Sequence, residues 1–388
     1  MSYYILPSFS SNLNKDNISI SLGSNNECIS KSLFNYLNSM KEQIDNYGNC
    51  WDIYKKYTNP YEYIHTLIPG LKISVSKLKP ISRSFYKLIE INYMLHICDD
   101  FKDGMKTFHL AEGPGGFLEA MTHIRSSYTN DKYYGMTLIN DNCNVIPGWK
   151  KSQTFLNKNK NIILEYGIDK KGDLFNVENL WYCYNNYKGS MDLITGDGGF
   201  DFSIDFNKQE VNANKLIFCQ LCFSIAMQKK GGSFILKIFD VFTQATIDIL
   251  YILSLLYKKI YIVKPNTSRY ANSERYIICK YFKDENVFDI LTKLSNMFPF
   301  LNANISIKRY LKIDIPYIFI NKLEDINAII GQQQLENILT TFYLIENSKE
   351  EKIEAIKKNN IQKCLQWCIK NKILHNKITP TFNIFYKD

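Results

Sequence analysis

One stretch constrains this chain more than any other: Thr107-Phe108-His109-Leu110-Ala111-Glu112-Gly113-Pro114-Gly115-Gly116-Phe117. A short apolar run ends in a glycine-rich turn, and an amphipathic segment follows at once. That spacing predicts a strand, a tight turn and a helix. Glycines at such a turn let backbone approach a ligand closely, and the N–H groups of a first helical turn favour a polar or anionic partner. The dinucleotide-binding fingerprint is not met, because its third glycine would fall where Leu118 stands. On its own the stretch leaves a ligand-free strand–helix turn as an alternative.

The pattern around it alternates strand and helix, as in doubly wound α/β proteins. Strands are expected at Thr107–Ala111, Tyr133–Leu138, Ile162–Glu165, Asp192–Thr195, Ser233–Ile238 and Ile260–Val263, and a last one at Arg275–Phe282. Helices are expected after Gly116, from Val177, over Gln209–Gln228 and over Gln244–Tyr257. Lys264–Ser273 reads as a loop that leads straight into the last strand. With no crossover helix between them, the final two strands should pair antiparallel. The expectation is an α/β sheet of six parallel strands plus one antiparallel, flanked by helices.

Residues 1–80 read as an N-terminal extension and 285–388 as a mostly helical C-terminal region around a central 81–284 domain. Met1–Lys31 is rich in Ser and Asn and is expected to be a loosely ordered arm. Over Lys31–Tyr57 apolar residues recur at helical spacing (Leu33, Phe34, Leu37, Met40, Ile44), with Lys41, Lys55 and Lys56 on a solvated face unless a groove lies beside them. A further helix begins near Ser82, its expected cap, and buries Leu88, Ile91 and Leu95 with Lys87 beside them. Val287–Phe298 and Leu335–Lys370 look helical, and the region between is unassigned. The tail carries no chemistry of its own: a helical appendage, an RNA-binding surface and a partner contact all stay open.

Composition narrows the class. Lys+Arg exceed Asp+Glu for a net charge of +9, which suits a polyanionic partner without requiring one. The 27 Tyr and 24 Phe could supply stacking platforms for bases. Cys219 and Cys222, and likewise Cys364 and Cys368, lie on apolar helical runs and read as buried reduced thiols. The five histidines do not cluster, so no metal site is expected. No signal-peptide pattern opens the chain. The greasiest run, Ile247–Tyr257, carries Asp248 and falls short of the roughly 20 residues that span a bilayer. A soluble, intracellular chain with no membrane partner is expected.

Ligands of open α/β sheets sit outside the carboxyl ends of the strands. Four charged residues fall near that edge: Lys87, Asp197, Lys237 and Glu274. Lys237 lies in Phe234-Ile235-Leu236-Lys237-Ile238-Phe239, where an unpaired ammonium would be costly. Burial disfavours an ammonium and moves a lysine toward the range of a usable base. A structural ion pair at a strand end is the other reading of these residues.

The chain resembles the FtsJ-type ribose 2′-O-methyltransferases, which use S-adenosylmethionine (SAM). Within them it is most similar to the eukaryotic and large-DNA-virus enzymes acting on the first transcribed nucleotide of capped mRNA. The resemblance rests on Asn59-Pro60-Tyr61-Glu62, Ser82–Lys87, Glu112–Phe117, Gly135-Met136-Thr137-Leu138, Asp173, Asp197-Gly198-Gly199-Phe200, Lys237-Ile238-Phe239-Asp240, Lys264-Pro265-Asn266-Thr267-Ser268-Arg269 and Asn272-Ser273-Glu274-Arg275-Tyr276. It implies a Rossmann-like methyltransferase sheet. It implies a catalytic tetrad of Lys87, Asp197, Lys237 and Glu274, with Lys237 as base. The cofactor SAM would lie along Ser82, Glu112, Gly113, Pro114, Gly115, Gly116, Phe117, Asp173, Leu174 and Asp197. Glu112 stands where relatives often carry a small residue or Cys, and its role is left open. Substrate contacts map onto Asn207 and Asn272, and more loosely onto Lys41 and Lys55. Arg269 either holds RNA phosphate or pairs with Asp201 or Glu274.

The implied partner is the 5′ end of capped mRNA, with other capping or transcription proteins alongside it and no DNA. A viral enzyme would act in the cytoplasm, and a nuclear location is the other option. Ribosomal or transfer RNA as substrate, and a non-catalytic RNA-binding subunit that kept the fold, remain the competing readings.

Overall fold

A computed structural model describes residues 3–11, 13–23, 28–140, 146–199, 206–283, 286–301, 305–347 and 349–378. Its strands are β1 (Tyr3–Leu6), β2 (Ile18–Leu22), β3 (Lys106–Leu110), β4 (Lys132–Met136), β5 (Ile162–Glu165), β6 (Met191–Gly196), β7 (Gln228–Ile238), β8 (Tyr257–Val263), β9 (Arg275–Phe282) and β10 (Ile307–Leu311). Its helices are α1 (Lys31–Glu42), α2 (Gly48–Thr58), α3 (Ser84–Leu95), α4 (Gly116–Ile124), α5 (Gln153–Lys158) and α6 (Val177–Tyr187). They continue with α7 (Gln209–Met227), α8 (Gln244–Leu256), α9 (Phe288–Ser295), α10 (Phe298–Leu301), α11 (Tyr317–Glu346) and α12 (Glu350–Lys370).

The main sheet has eight strands in the order β1-β8-β9-β7-β6-β3-β4-β5. From β7 to β5 every neighbouring pair is parallel. β9 is inserted antiparallel between β7 and β8, so β8 runs in the parallel direction. The six parallel strands and one antiparallel strand expected from the pattern are therefore present, and β8 and β9 pair antiparallel as the missing crossover required. The chain moves outward from β3 through β4 to β5, then returns to β6 on the other side of β3. That reversal opens a crevice at the carboxyl ends of β3 and β6, where Glu112 and Asp197 stand.

The N-terminal arm is more ordered than its composition suggests. β1 adds an antiparallel edge strand to β8, and β2 pairs with β10 in a separate two-stranded sheet. Leu6, Leu13 and Ile18 are buried in the same core as the helices of the central region. Each strand is so short that no period builds up in the sequence, and the partner's backbone supplies the hydrogen bonds that fix it. β10, in the unassigned part of the tail, escaped notice for the same reason.

The C-terminal region is helical as expected, but it divides into α11 and α12, with α11 beginning upstream of Leu335. Phe319, Leu323, Ile326 and Ile330 of α11 join the central core. Further along, Leu335, Ile338 and Phe342 pack against Leu37 and Met40 of α1 and Trp51 of α2. Cys219, Cys222, Cys364 and Cys368 are buried and unbridged. Among the described residues no helix is long and apolar enough to cross a membrane.

Asp248, the single charge in the greasiest run, is fully buried on α8 and faces β10. Its carboxylate accepts from Arg309 Nε at 2.9 Å and from the N–H groups of Tyr310 at 2.8 Å and Leu311 at 3.2 Å. Asp248 therefore pins the small sheet to the main core. Removing one partner of a buried pair strands the other. The Asp248→Ala variant should lose about 3 kcal/mol of unfolding free energy, read as a lower denaturant midpoint.

Candidate active site

Two N–H groups of the first helical turn of α4 are taken from within the chain. Glu112, at the end of β3, folds its carboxylate onto them: Oε1 accepts from both Phe117 N–H and Leu118 N–H at 2.8 Å. The turn between closes through Gly115 N–H to the Glu112 carbonyl at 2.8 Å. The Pro114 carbonyl accepts from Ser152 Oγ. Gly116 is needed because a Cβ there would run into the hydroxyls of Ser82 and Ser84. Those serines open α3, with Ser82 Oγ 2.5 Å from Ser84 Oγ and accepting from Ser84 N–H. Ser82 therefore caps from one residue further out than a helix cap, because α3 starts at Ser84.

The Phe117 ring is fully buried and contributes packing, not a ligand wall. Leu174 is likewise core. Asp173 turns its carboxylate onto Phe175 N–H at 2.9 Å and borders a separate cavity of about 460 Å³ with Asp169 and Asn176. Gly113 and Gly172, which precedes Asp173, both abut Thr137 at the end of β4. The turn, β4 and the Asp173 loop thus converge along the carboxyl edge of the sheet.

Lys87, Asp197, Lys237 and Glu274 meet at that edge. Lys87 Nζ lies 2.7 Å from Glu274 Oε1 and donates to Oε2 at 2.8 Å. Lys237 Nζ donates to the Asp197 carbonyl at 2.7 Å and lies 3.3 Å from its Oδ1. Tyr276, beside Lys237 across the β7–β9 ladder, donates its hydroxyl to the same Oδ1 at 2.8 Å. A Cβ on Gly199 would come within 3.2 Å of Lys237 Nζ, a tight contact with the amine. Burial pushes the Lys87 ammonium below its ordinary value against the pull of Glu274 and Asp197. Burial also raises Glu274, yet the charges of Lys87 and Lys237 outweigh it and hold the carboxyl below the usual range.

Lys237 and Glu274 open onto a cleft of about 670 Å³. Its far walls come from outside the central domain: Lys41, Trp51 and Lys55 from α1 and α2, and Gln334 and Asn337 from α11. A groove therefore does lie beside two of the three helix lysines. Lys41 is buried and paired with Asp240 at 2.9 Å, and Lys55 pairs with Asp52. Arg269 lines the cleft, and its described partner is Glu62, with Nη2 2.5 Å from Oε1 and Nε 3.0 Å from Oε2. Of the two carboxylates left open for Arg269, Glu274 is therefore not its hydrogen-bonded partner; Asp201, like Phe200, lies outside the described residues. Burial raises Glu62, and Arg269 more than reverses it, bringing the carboxyl to about 2. Asn272 faces the cleft, whereas Asn207 donates to Glu42 at 3.1 Å and is not among the lining residues.

Sequence reasoning passed over the residues that hold this site from behind. Tyr276 and Lys264 lie inside the stretches that carry the family resemblance, with no local mark of their own. Gln220 of α7 accepts from Gly198 N–H at 3.1 Å and so supports the loop carrying Asp197. Its only signal was a glutamine inside an apolar helix.

Residues 80–282 match the FtsJ-like methyltransferase family, over half of the chain, and the chain belongs to that family. It is 34% identical over 178 residues to cap-specific mRNA (nucleoside-2′-O-)-methyltransferase 1A of Caenorhabditis briggsae, covering 45% of this chain and 20% of the relative. It is 27% identical over 289 residues to cap-specific mRNA (nucleoside-2′-O-)-methyltransferase 2 of Pongo abelii, covering 68% and 35%. It is also 32% identical to an inactive cap-specific mRNA (nucleoside-2′-O-)-methyltransferase 1B of C. briggsae, over 43% of this chain and 20% of that one. The chain thus spans about a fifth to a third of the length of these relatives.

Glu112 gives the site a pH signature. Burial pushes its carboxyl up to about 8, with Asp197 adding to the rise against the Leu118 and Phe117 N–H groups. The fold thus keeps a proton that the unfolded chain releases near 4.5. This group favours the folded state at low pH, and that contribution is lost as pH rises through about 8. Glu112→Gln should gain stability relative to the wild type between about pH 5 and about pH 9. The check is denaturant unfolding at both pH values, and an equal difference at the two would mean that Glu112 stays ionised in the fold.

Proposed function

We propose that the chain transfers the methyl group of SAM to the ribose 2′-hydroxyl of the first transcribed nucleotide of a capped mRNA. The observation that carries this reading is the meeting of Lys87, Asp197, Lys237 and Glu274 at the switch point, with Lys237 open to a nucleotide-sized cleft. Stability alone does not call for two ion pairs here, since apolar residues often serve a buried position as well or better.

The residues at the crevice fit the cofactor. Glu112 and Asp197 stand at the ends of adjacent parallel strands, and the charge of Asp197 helps to keep Glu112 protonated. A cationic group beside them would favour two carboxylates, and the methionine end of SAM carries a sulfonium and an ammonium. Ser82, Glu112 and the Gly113–Gly116 turn would hold that end, Asp197 would face the sulfonium, and the Asp173 loop would take the adenine end. When bound, SAM supplies an electrophilic methyl group.

The chain's own residues do the rest. Lys237 accepts the 2′-hydroxyl proton at Nζ. Asp197, itself held by Tyr276, fixes the direction of that amine. Lys87 neutralises Glu274 and adds a second positive charge, and the two ammonium groups oppose each other. Asn272 faces the substrate, and Lys55 flanks the path of its phosphates. Lys41, Lys55 and Arg269 all reach the cleft paired, with Asp240, Asp52 and Glu62, and of the three Lys41 is the buried one.

Mass spectrometry of a short capped RNA after incubation with SAM reports both the reaction and the modified nucleotide. One added methyl on the first nucleotide is expected, and equal methylation of uncapped transcript would overturn the cap assignment. Lys237→Ala should lower turnover roughly 10²–10⁴-fold and leave SAM affinity by calorimetry unchanged. SAM binding with no transfer by the wild type would instead favour a non-catalytic subunit.

A further inference from the structure

The loop between β8 and β9 is fastened at both ends by buried side chains. At its start, Glu90 of α3 accepts from Asn266 N–H at 2.8 Å and from Thr267 N–H at 3.1 Å. At its end, the buried Lys264 donates to Asn272 O at 2.5 Å, Asn272 Oδ1 at 2.6 Å and Glu274 O at 2.7 Å. These acceptors belong to two residues that line the cleft, and Lys264 itself does not line it. An ammonium has three N–H donors, one for each of these oxygens. A neutral amine has two, so the geometry is complete only with the charged form.

We propose that Lys264 is a positioning residue for methyl transfer, whose ammonium holds the Asn272 amide toward the substrate and the Glu274 carboxylate toward Lys87. Its kinetic consequence rests on the transfer reaction proposed above; its geometry does not.

The surroundings make that grip pH-dependent. Charged groups facing Lys264 are Glu274 just before β9, Arg275 of β9, Lys87 of α3 and Asp240 just after β7. Burial pulls the ammonium down to about 7, with Glu274 opposing the fall and Arg275 and Lys87 adding to it. As pH rises through this value one of the three donors is lost and the loop end loosens. Stability moves the other way. The unfolded lysine keeps its proton to 10.5, so between about 7 and 10.5 the unfolded state binds more protons and this group's contribution to the fold rises with pH.

The test compares wild type with Lys264→Met by steady-state kinetics on capped RNA and by hydrogen–deuterium exchange over residues 272–274. For the variant, kcat should fall roughly 10²-fold, the loss expected when reacting groups are misplaced, with unchanged SAM affinity and faster exchange at Ser273 and Glu274. In the wild type, exchange there, corrected for its intrinsic pH dependence, should quicken above about pH 8. Wild-type kcat and wild-type exchange in Lys264→Met would overturn the proposal. If Lys264→Met fails to fold, the wild-type pH series decides, and a flat profile overturns it. If the wild type transfers no methyl group, the reaction reading fails and the exchange arm still judges Lys264.

Discussion

Charge that has been taken out of water must be answered by opposite charge, and at this site that requirement organises the structure. Lys87 and Lys237 stand side by side at the carboxyl edge of the sheet, and each is matched by a carboxylate. Burying an ion costs several kcal/mol before its partner is counted, so neither pair tolerates a misplaced element. The Lys87–Glu274 pair requires α3 to lie across the start of β9. The Lys237–Asp197 pair requires the ends of β6 and β7 to be in register. The parallel ladder of β6 with β7 sets the second, and the antiparallel ladder of β7 with β9 brings Glu274 beside it.

Behind the four charged groups lies a set of buried polar residues that hold irregular backbone and site side chains in place. Glu112 holds α4, Gln220 holds Gly198, Glu90 and Lys264 hold the two ends of one loop, and Tyr276 holds Asp197. Each satisfies backbone or side-chain groups that irregular chain would otherwise leave unpaired. Loops carrying reactive groups are kept in place in this way by rigid neighbours. The cleft itself is a joint product. Its floor comes from the family's sheet, and its walls come from α1, α2 and α11, which Leu37, Trp51, Ile338 and Phe342 bind into one apolar cluster.

The parts legible in the sequence share a feature: their signal is local. A lysine flanked by Leu236 and Ile238 is conspicuous because apolar strands exclude charge. The Gly113–Gly116 turn is conspicuous because glycine runs mark close backbone approach. Strands from β3 to β9 showed themselves through continuous apolar runs, as buried parallel strands do. Elements that went unseen carry no such mark. β1 and β10 are too short to show a period, and their pairing is decided by chains hundreds of positions away. The sequence suggests Asp201 or Glu274 as carboxylates for Arg269, and its partner is Glu62. Their meeting depends on where the loop after β8 lands, beyond the reach of any spacing rule.

From its sequence alone this chain determined a strand-and-helix alternation, the turn at Glu112–Phe117 and the identity of four charged residues at one edge. Those follow from hydrophobic period and backbone freedom, which act over a few residues. Tertiary structure alone decided which charges pair, that Glu112 caps its own helix, and that the two ends of the chain wall the cleft. Such outcomes turn on distances between groups far apart in sequence, and only the packed core sets those distances.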